Sequence, residues 1–203
     1  MNCAVDSQSE TLFSSEDKRW MQLACSYAWR AQGASWPNPA VGCVLVSPDN
    51  VLLAVGHTKT GGRPHAEAAA LEALKQSGNS AAFKGGTAYV TLEPCAHQGR
   101  GAACADLLVR SRAARVVYAV ADPDERVNGR GHTRLIEGGV SVQSGLCAQK
   151  AAAGLTGFLA SRRLSRPYLT SKIATSADGF ISAKIGQQTW LTNEVSRAYV
   201  HDL

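Results

Sequence analysis

One histidine and two cysteines, His65, Cys95 and Cys104, constrain the fold of this chain more than any other feature of its sequence. An imidazole and two thiolates can hold a zinc ion through three ligands and leave its fourth position open for water. Zinc lowers the pKa of such a water towards neutrality, and Glu67, two residues after the histidine, can carry the proton. The chain is therefore predicted to bring these four residues together around an open zinc site.

A closed structural zinc site is the first alternative. It would normally use four protein ligands, and His97 could supply the fourth, but Glu67 would then have no role. The second alternative is that the residues are unrelated, since any one of them alone is an ordinary core or surface residue. A histidine, a carboxylate two residues later, a Pro-Cys step and a second cysteine nine residues further on together favour one open site.

The hydrophobic periodicity predicts an α/β domain. A first helix begins at Ser14 or Ser15, which can cap it, and ends at Gly33. The later segments are predicted as strands 41–47 and 51–57 joined by a turn at 48–50, helix 65–77, strand 87–92, helix 103–111, strand 115–121, helix 131–137, strand 140–144 and helix 148–164. A hairpin followed by alternating helices and strands predicts a three-layer α/β/α sandwich with a mixed sheet.

This order of elements places the ligands at one edge of the sheet. His65 and Glu67 open a predicted helix, and Cys95 closely follows the predicted strand 87–92. Ligands of α/β sheets bind at the carboxyl ends of strands and at helix N-termini. A thiolate is also stabilised by the exposed N–H groups of a nearby helix N-terminus. The predicted fold and the predicted zinc site are therefore consistent with each other.

The sequence divides into three predicted parts. Residues 1–13 read as a flexible tail, residues 14–165 as the zinc-binding domain, and residues 166–203 as the start of a second domain. In this last part we expect a strand at 168–175, a turn at 176–179 and a helix at 193–203. A segment of about 38 residues is too short to build an independent core.

Composition restricts location and partners. The chain has 203 residues, 45% of them hydrophobic, and no run reaches the roughly 18 apolar residues that span a bilayer. Residues 1–18 are polar and acidic and lack the apolar segment of a signal peptide. We therefore expect a cytoplasmic protein with no membrane partner, in which the six cysteines bind metal or stay reduced rather than form disulfides.

The formal charge of +5 favours an anionic partner. Two classes fit, a phosphorylated small molecule and a nucleic acid. The 21 Lys and Arg residues are scattered, with no long basic run and no patch interleaved with aromatic residues. The small molecule is therefore the favoured partner, and nucleic acid is not expected.

The pattern H-x-E followed by P-C and a second cysteine is the signature of zinc-dependent nucleobase deaminases. Most of these carry C-x-x-C, whereas eight residues separate Cys95 from Cys104 here. This spacing resembles the deaminase domain of the bifunctional riboflavin biosynthesis deaminase/reductase family. Further matching motifs lie at residues 37–42, 91–94, 122–123 and 127–131 and, in the part that resembles the reductase, at 172–179 and 190–192. The resemblance runs from about residue 20 to residue 203.

The resemblance implies an activity, cofactors and site residues. The family removes the 2-amino group of 2,5-diamino-6-ribosylamino-4(3H)-pyrimidinone 5′-phosphate, giving 5-amino-6-(5-phosphoribosylamino)uracil, and then reduces the ribose with NADPH. It implies zinc on His65, Cys95 and Cys104, with Glu67 as the catalytic proton carrier. NADPH is expected only of a full-length form, and a homo-oligomer is an open expectation. The implied substrate contacts are Asn38, His57, His97, Arg100, Asp122 and Asp124, and the implied NADPH contacts are Ala174 and Trp190.

The chain departs from the family pattern at several positions. Prolines usual in the loop before Cys104 are absent, Asp124 stands where an asparagine is usual, and Gln188 replaces a serine. An acid at 124 should repel a phosphorylated substrate unless a cation such as Arg126 neutralises it. Two other functions therefore stay open, a deaminase of another nucleobase or nucleotide and a zinc-stabilised binding module without enzymatic activity.

Overall fold

The computed structural model describes residues 12–97, 101–124 and 127–201, which form two compact units divided between residues 167 and 168. Arg100 and Arg126 lie outside the described residues. The first unit contains a five-stranded sheet with the strand order β2-β1-β3-β4-β5. Its strands are β1 (Gly42–Val46), β2 (Leu52–His57), β3 (Thr87–Leu92), β4 (Arg115–Val120) and β5 (Ser141–Ser144).

The sheet is mixed, as the sequence predicts. β1 pairs antiparallel with both β2 and β3, while β3, β4 and β5 run parallel. The helices are α1 (Ser15–Trp29), α2 (Ala66–Gln76), α3 (Cys104–Arg110), α4 (Arg130–Glu137), α5 (Ala148–Ala153), α6 (Thr156–Leu164) and α7 (Glu194–His201). Two single 3₁₀ turns occur at Thr60–Gly62 and Asn79–Ala81. The predicted fold class is confirmed.

Two glycines explain how closely the first two helices approach the sheet. A Cβ on Gly42 would lie 1.9 Å from the carbonyl oxygen of Ala24 in α1, and a Cβ on Gly56 would lie 2.3 Å from that of Ala66 in α2. Gly56 pairs with Cys43, the residue after Gly42. Because successive residues of a strand point to opposite faces, α1 and α2 cover opposite faces of the sheet. The three layers follow from this alternation.

The core combines apolar side chains from strands and helices. The largest fully buried side chains include Phe83, Met21, Leu45, Leu108 and Leu135. Helix α3 packs between α2 and α4, and α5 packs against β3 and β4. None of the helices in the described parts of the chain combines the length and the apolar character that crossing a bilayer requires.

The predicted helix 148–164 is wrong as one element. The structure divides it into α5 and α6, with a break at Gly154 and Leu155. Glycine weakens a helix interior by about 1 kcal/mol relative to alanine. Leu155 leaves the helical conformation, with φ −116° and ψ 9°, and its side chain is buried in the core. Local propensity and burial of this leucine both favour the break.

The second unit, residues 168–203, differs from its sequence-based prediction in one element. Segment 168–175 does not form the predicted strand, and residues 168–201 contain no β-ladder at all. A strand needs a partner for its backbone groups, and this segment pairs with none within its unit. The turn after Ser176 is present, since the Gly179 N–H donates to the Ser176 carbonyl at 3.0 Å. The helix predicted from residue 193 is α7. The assignment of this unit as part of a reductase stays a prediction.

Candidate functional site

The three predicted metal ligands meet at one edge of the sheet. His65 is the residue immediately before α2, Cys95 follows β3 after a two-residue step, and Cys104 is the first residue of α3. Their ligand atoms all lie within 4.8 Å of one another. His65 Nδ1 lies 3.7 Å from Cys95 Sγ and 3.4 Å from Cys104 Sγ.

These distances fit zinc. Zn–S bonds of about 2.3 Å and Zn–N bonds of about 2.0 Å in a tetrahedral site separate nitrogen from sulfur by about 3.5 Å. His65, Cys95 and Cys104 would therefore hold the ion with little rearrangement. No fourth protein ligand joins this cluster among the described residues, which agrees with an open rather than a closed site.

The protonation of the cluster also suits metal binding. A hydrogen bond from the Cys104 thiol lowers the pKa of Cys95 to about 4, and the His65 imidazole adds to this effect. The Cys104 N–H donates to Cys95 Sγ at 3.4 Å. The hydrogen bond to Cys95, together with burial, raises the pKa of the Cys104 thiol. Since thiolates bind metal, Cys95 is ready to coordinate, and Cys104 would release a proton on binding.

Glu67 lies in the first turn of α2 and is only 4% exposed. Burial, reinforced by the negative charge of Cys95, raises the pKa of its carboxyl to about 7. The side chain lines the same cavity as His65 and Cys95. A carboxyl with a pKa near neutrality beside a three-ligand metal site can both accept and donate a proton at neutral pH.

Asn38 connects the loop after α1 to the metal site. Its Nδ2 donates to the Gly62 carbonyl at 2.8 Å and lies 3.5 Å from His65 Nε2. Gly62 has a φ of +84°, and a Cβ there would lie 2.6 Å from Asn38 Nδ2. Only glycine fits both the left-handed backbone and this close approach. Asn38 is therefore held at the cavity wall, beside Nε2 of the His65 ring, whereas the two sulfurs lie near Nδ1.

A cavity of about 530 Å³ opens over the metal cluster. The cluster residues apart, its wall includes Asn38, Arg63, Glu67, Glu93, His97, Asp122, Asp124, Phe158 and Arg162. Asp122 Oδ1 accepts from the Asp124 N–H at 2.9 Å. Burial raises the pKa of Asp122 to about 6. The cavity thus combines amide, imidazole, carboxyl and guanidinium groups around one volume.

Glu93 is a functional-site residue to which sequence reasoning gave no role. It is buried, and its carboxylate accepts from the backbone N–H groups of Asp122, Gly129 and His132 at 3.4, 3.1 and 3.2 Å. It thereby fixes the loop that carries Asp122. Glu93 lies in the matched motif before Cys95, and this position is the sequence feature that could have identified it as a site residue.

Arg63 and Arg162 are cavity residues that sequence reasoning also missed. Arg162 Nη1 lies 3.7 Å from Asp124 Oδ2, and its guanidinium lies 5.8 Å from the Phe158 ring centre. The spacing of 158 and 162 on α6 puts both on one helix face. Nothing local in the sequence links that face to Asp124, which lies far back along the chain.

Some predicted site residues are not brought to the cavity. His57 is absent from the cavity wall, and its ring lies 6.4 Å from that of Tyr27 in α1. Strand alternation explains this, since Gly56 faces α2 and the next residue faces α1. Ala174 and Trp190 belong to the second unit, where the Arg197 guanidinium lies 4.4 Å from the Trp190 ring.

Comparison with known proteins agrees with this geometry. The family described as the cytidine and deoxycytidylate deaminase zinc-binding region matches residues 14–120. The riboflavin biosynthesis protein RibD of Aquifex aeolicus is 39% identical over 187 residues, covering 92% of this chain and 51% of that protein. RibD of Escherichia coli is 40% identical over 182 residues, covering 90% of this chain and 48% of that protein. The chain thus spans about half the length of these relatives.

Solved structures give the same result. A diaminohydroxyphosphoribosylaminopyrimidine deaminase/5-amino-6-(5-phosphoribosylamino)uracil reductase from Thermotoga maritima superposes with a TM-score of 0.85 at 31% identity, over 92% of this chain and 52% of that one. Acinetobacter baumannii RibD gives a TM-score of 0.80 at 39% identity, over 91% of this chain and 50% of that one. The matched region contains the whole His-Cys-Cys cluster and Glu67, so the chain belongs to the cytidine and deoxycytidylate deaminase family and carries its zinc-binding region.

Proposed function

We propose that the chain catalyses the hydrolytic deamination of 2,5-diamino-6-ribosylamino-4(3H)-pyrimidinone 5′-phosphate, a step of riboflavin biosynthesis. The product is 5-amino-6-(5-phosphoribosylamino)uracil, and ammonia leaves. One observation carries the proposal: His65 and Cys95 of the three-residue metal cluster line one cavity together with a buried carboxyl, Glu67. The similarity to proteins named for this pathway selects the substrate.

His65, Cys95 and Cys104 hold the zinc ion in this proposal. When bound, zinc acts as a Lewis acid that makes hydroxide available at neutral pH. Glu67 takes a proton from water and delivers it to the ring nitrogen, and it then moves the proton of the newly added hydroxyl group to the departing amine. The same carboxyl therefore serves as base and then as acid.

Recognition of the pyrimidine falls to polar groups on the cavity wall. Asn38 offers an amide, and Asp122 offers a carboxyl whose loop is fixed by Glu93. His97 Nδ1 is buried and has no hydrogen-bond partner in the described parts of the chain, which suits a substrate contact. The cavity volume of about 530 Å³ lies in the range of small-molecule sites. Arg100 remains a proposed contact from the sequence alone.

A small-molecule substrate accounts for the site without nucleic acid or membrane. A cytoplasmic location, the absence of those partners and the formation of a homo-oligomer stay predictions. Ala174 and Trp190 stay proposed NADPH contacts of a longer form that would also reduce the ribose.

The test is incubation of the zinc-loaded protein with the diaminopyrimidinone ribotide. Hydrolysis of a C–NH₂ group to a carbonyl releases ammonia and changes the mass by about 1 Da. Both are measured, ammonia by a coupled assay and the product by mass spectrometry. Cytidine, deoxycytidylate and adenosine serve as competing substrates. Preferential turnover of one of these would support the alternative deaminase, and no turnover with stable zinc binding would support a binding module.

A ligand variant separates metal chemistry from contamination. Cys104→Ser replaces a thiolate with a hydroxyl, a far poorer ligand for zinc. Cys147→Ser is the matched control, because Cys147 lies away from the cluster. The first variant should lose most of its zinc and its activity together, and the second should keep both. Full zinc occupancy in Cys104→Ser would remove this cysteine from the site.

A further inference from the structure

Arg162 is a cationic group of the cavity wall that the zinc chemistry does not use. It lies on α6, near the end of the first unit, and its side chain is 45% exposed. The guanidinium reaches the cavity, where four carboxyl groups, Glu67, Glu93, Asp122 and Asp124, also lie. A cation on this wall can bind an anionic group of a ligand.

The contacts of Arg162 position its guanidinium without occupying all of its N–H donors. Asp124 Oδ2 lies 3.7 Å from Nη1, which is longer than a good hydrogen bond, and Phe158 supports the guanidinium at 5.8 Å. A guanidinium has five N–H donors in a fixed planar fork. This fork can bind two oxygens of a phosphate at once. Arg162 is therefore positioned by its neighbours and retains donors for an anion.

Asp124 itself is balanced by this contact. A carboxylate on the wall of a phosphate-binding cavity would repel the ligand if its charge were uncompensated. Arg162 supplies the compensating charge. The acid that is unfavourable on charge alone can thus orient the cation that attracts the phosphate.

We infer that Arg162 recognises the 5′-phosphate of the substrate, positioned by Asp124 and Phe158. The inference rests on the proposed function, because it assigns one group of that substrate. It makes Arg162 a specificity-determining residue, distinct from the residues that hold zinc or move protons.

Arg63, the other arginine on the cavity wall among the described residues, is the competing candidate. It lies two residues before His65, and its Nη1 would be 3.4 Å from a Cβ on Gly101. It therefore packs against Gly101, three residues before the metal ligand Cys104. This position suits support of the metal loop better than contact with the distal end of a ribotide.

The test compares the ribotide with its dephosphorylated riboside. For the zinc-loaded protein, the phosphate preference is the ratio of kcat/KM for the two substrates. Arg162→Gln should lower this ratio by about tenfold or more, through a higher KM for the ribotide with kcat little changed. Turnover of the riboside should stay as in the wild type. Arg163→Gln removes the same charge from the neighbouring exposed position and should leave the ratio unchanged.

Two further variants give the inference a sharper test. Arg162→Lys keeps the charge but loses the fork, so it should restore part of the preference. Arg63→Gln should retain the wild-type preference. An unchanged ratio in Arg162→Gln, or loss of preference in Arg63→Gln instead, would overturn the inference.

A binding measurement keeps this result separate from the proposed function. Absence of turnover of both substrates by the wild type would contradict the proposed function. Titration calorimetry with ribose 5-phosphate and with ribose would still decide the role of Arg162. Phosphate-dependent binding that weakens about tenfold in Arg162→Gln but not in Arg163→Gln supports it. Equal affinities in wild type and Arg162→Gln overturn it.

Discussion

Two buried carboxyl groups lie on opposite faces of the same sheet and have opposite electrostatic surroundings. Asp17, in α1, is 5% exposed, and Glu67, in α2, is 4% exposed. Asp17 accepts from Tyr89 Oη at 2.6 Å and from Arg115 Nη1 and Nη2 at 2.6 and 3.2 Å. Burial alone would raise the pKa of Asp17, but these hydrogen bonds outweigh it and lower the pKa to about 2.

Glu67 shows the opposite balance. Burial and the nearby Cys95 charge raise its pKa to about 7. Groups of similar solvent exposure are therefore ionised at neutral pH on one face and disposed to hold a proton on the other. The difference teaches that partners, as well as depth, decide what a buried acid does. In the proposed function, the α1 face uses its carboxylate for stability, and the α2 face keeps one for proton transfer.

Replacing Glu67 should have the largest effect on activity. Glu67→Gln keeps the shape of the side chain but cannot carry a proton, so kcat should fall by about 10²- to 10⁴-fold. Zinc content and thermal stability should stay close to wild type. Ammonia release, metal analysis and thermal unfolding provide the measurements. Turnover within a few-fold of wild type would show that Glu67 is not the proton carrier.

Replacing Asp17 should affect stability and leave the chemistry unchanged. Asp17→Asn leaves the partly buried Arg115 without its counter-charge, and we expect a loss of about 2 to 3 kcal/mol in the free energy of unfolding. Glu16→Gln is the matched control, an exposed acid in the same helical turn. It should leave the free energy of unfolding close to that of the wild type. Urea unfolding measures both, and a large loss of kcat in Asp17→Asn would contradict the division between the two faces.

The lowered pKa of Asp17 predicts that the stability of the protein depends on pH. The pKa of Asp17 is about 2 in the folded protein and about 3.9 in an unfolded chain, so its contribution is complete above about pH 4. It is lost as the pH falls towards 2, because the carboxylate must then be protonated. The stability difference between wild type and Asp17→Asn should therefore shrink over this window. Urea unfolding of both proteins at several pH values measures it, and zinc release affects both alike. A difference independent of pH would exclude ionisation of Asp17 as its cause.

The role of the buried acid on the α2 face could be predicted from the sequence much better than the role of the one on the α1 face. The zinc ligands and Glu67 belong to a local pattern, H-x-E followed by P-C, whose chemistry is readable without the fold. For Asp17 the sequence indicates only an acid in the first turn of a helix, where a negative charge is favourable. The structure confirms that placement, with Ser14 and Asp17 forming a reciprocal capping box. Its main partners, Tyr89 and Arg115, lie 72 and 98 residues away, and no local pattern indicates them.

The same limit applies inside the cavity. Asp122 and Asp124 follow a strand and could be expected at the sheet edge. Arg162 reaches them from α6, which the sequence merges with α5 into one helix. His57, a substrate contact implied by the resemblance, is absent from the cavity wall, because the resemblance does not reveal which face of the edge strand β2 a residue occupies. Contacts between residues far apart in the sequence, and the face of a strand on which a side chain lies, are properties of the assembled fold.

The smallest expected effect concerns Asp124 and depends on its partner. In the wild type, Asp124→Asn removes a charge that repels phosphate and also releases the guanidinium that Asp124 orients. These effects oppose each other, so KM for the ribotide should change by about twofold or less. In an Arg162→Gln background, Asp124→Asn no longer disturbs the orientation of Arg162, and it still removes a charge that repels phosphate. There, a carboxylate about 10 Å from a phosphate dianion is expected to cost on the order of 1 kcal/mol, so Asp124→Asn should lower KM about fivefold.

Steady-state kinetics of the four proteins in this cycle measure the coupling. Equal effects of Asp124→Asn in both backgrounds would show that the two residues act independently on the substrate. A large loss of kcat in the single variant would give Asp124 a role in the chemistry itself, in line with a deaminase that reads a different pyrimidine. The predicted dependence on background therefore distinguishes an acid that orients a cation from one that acts on the substrate directly.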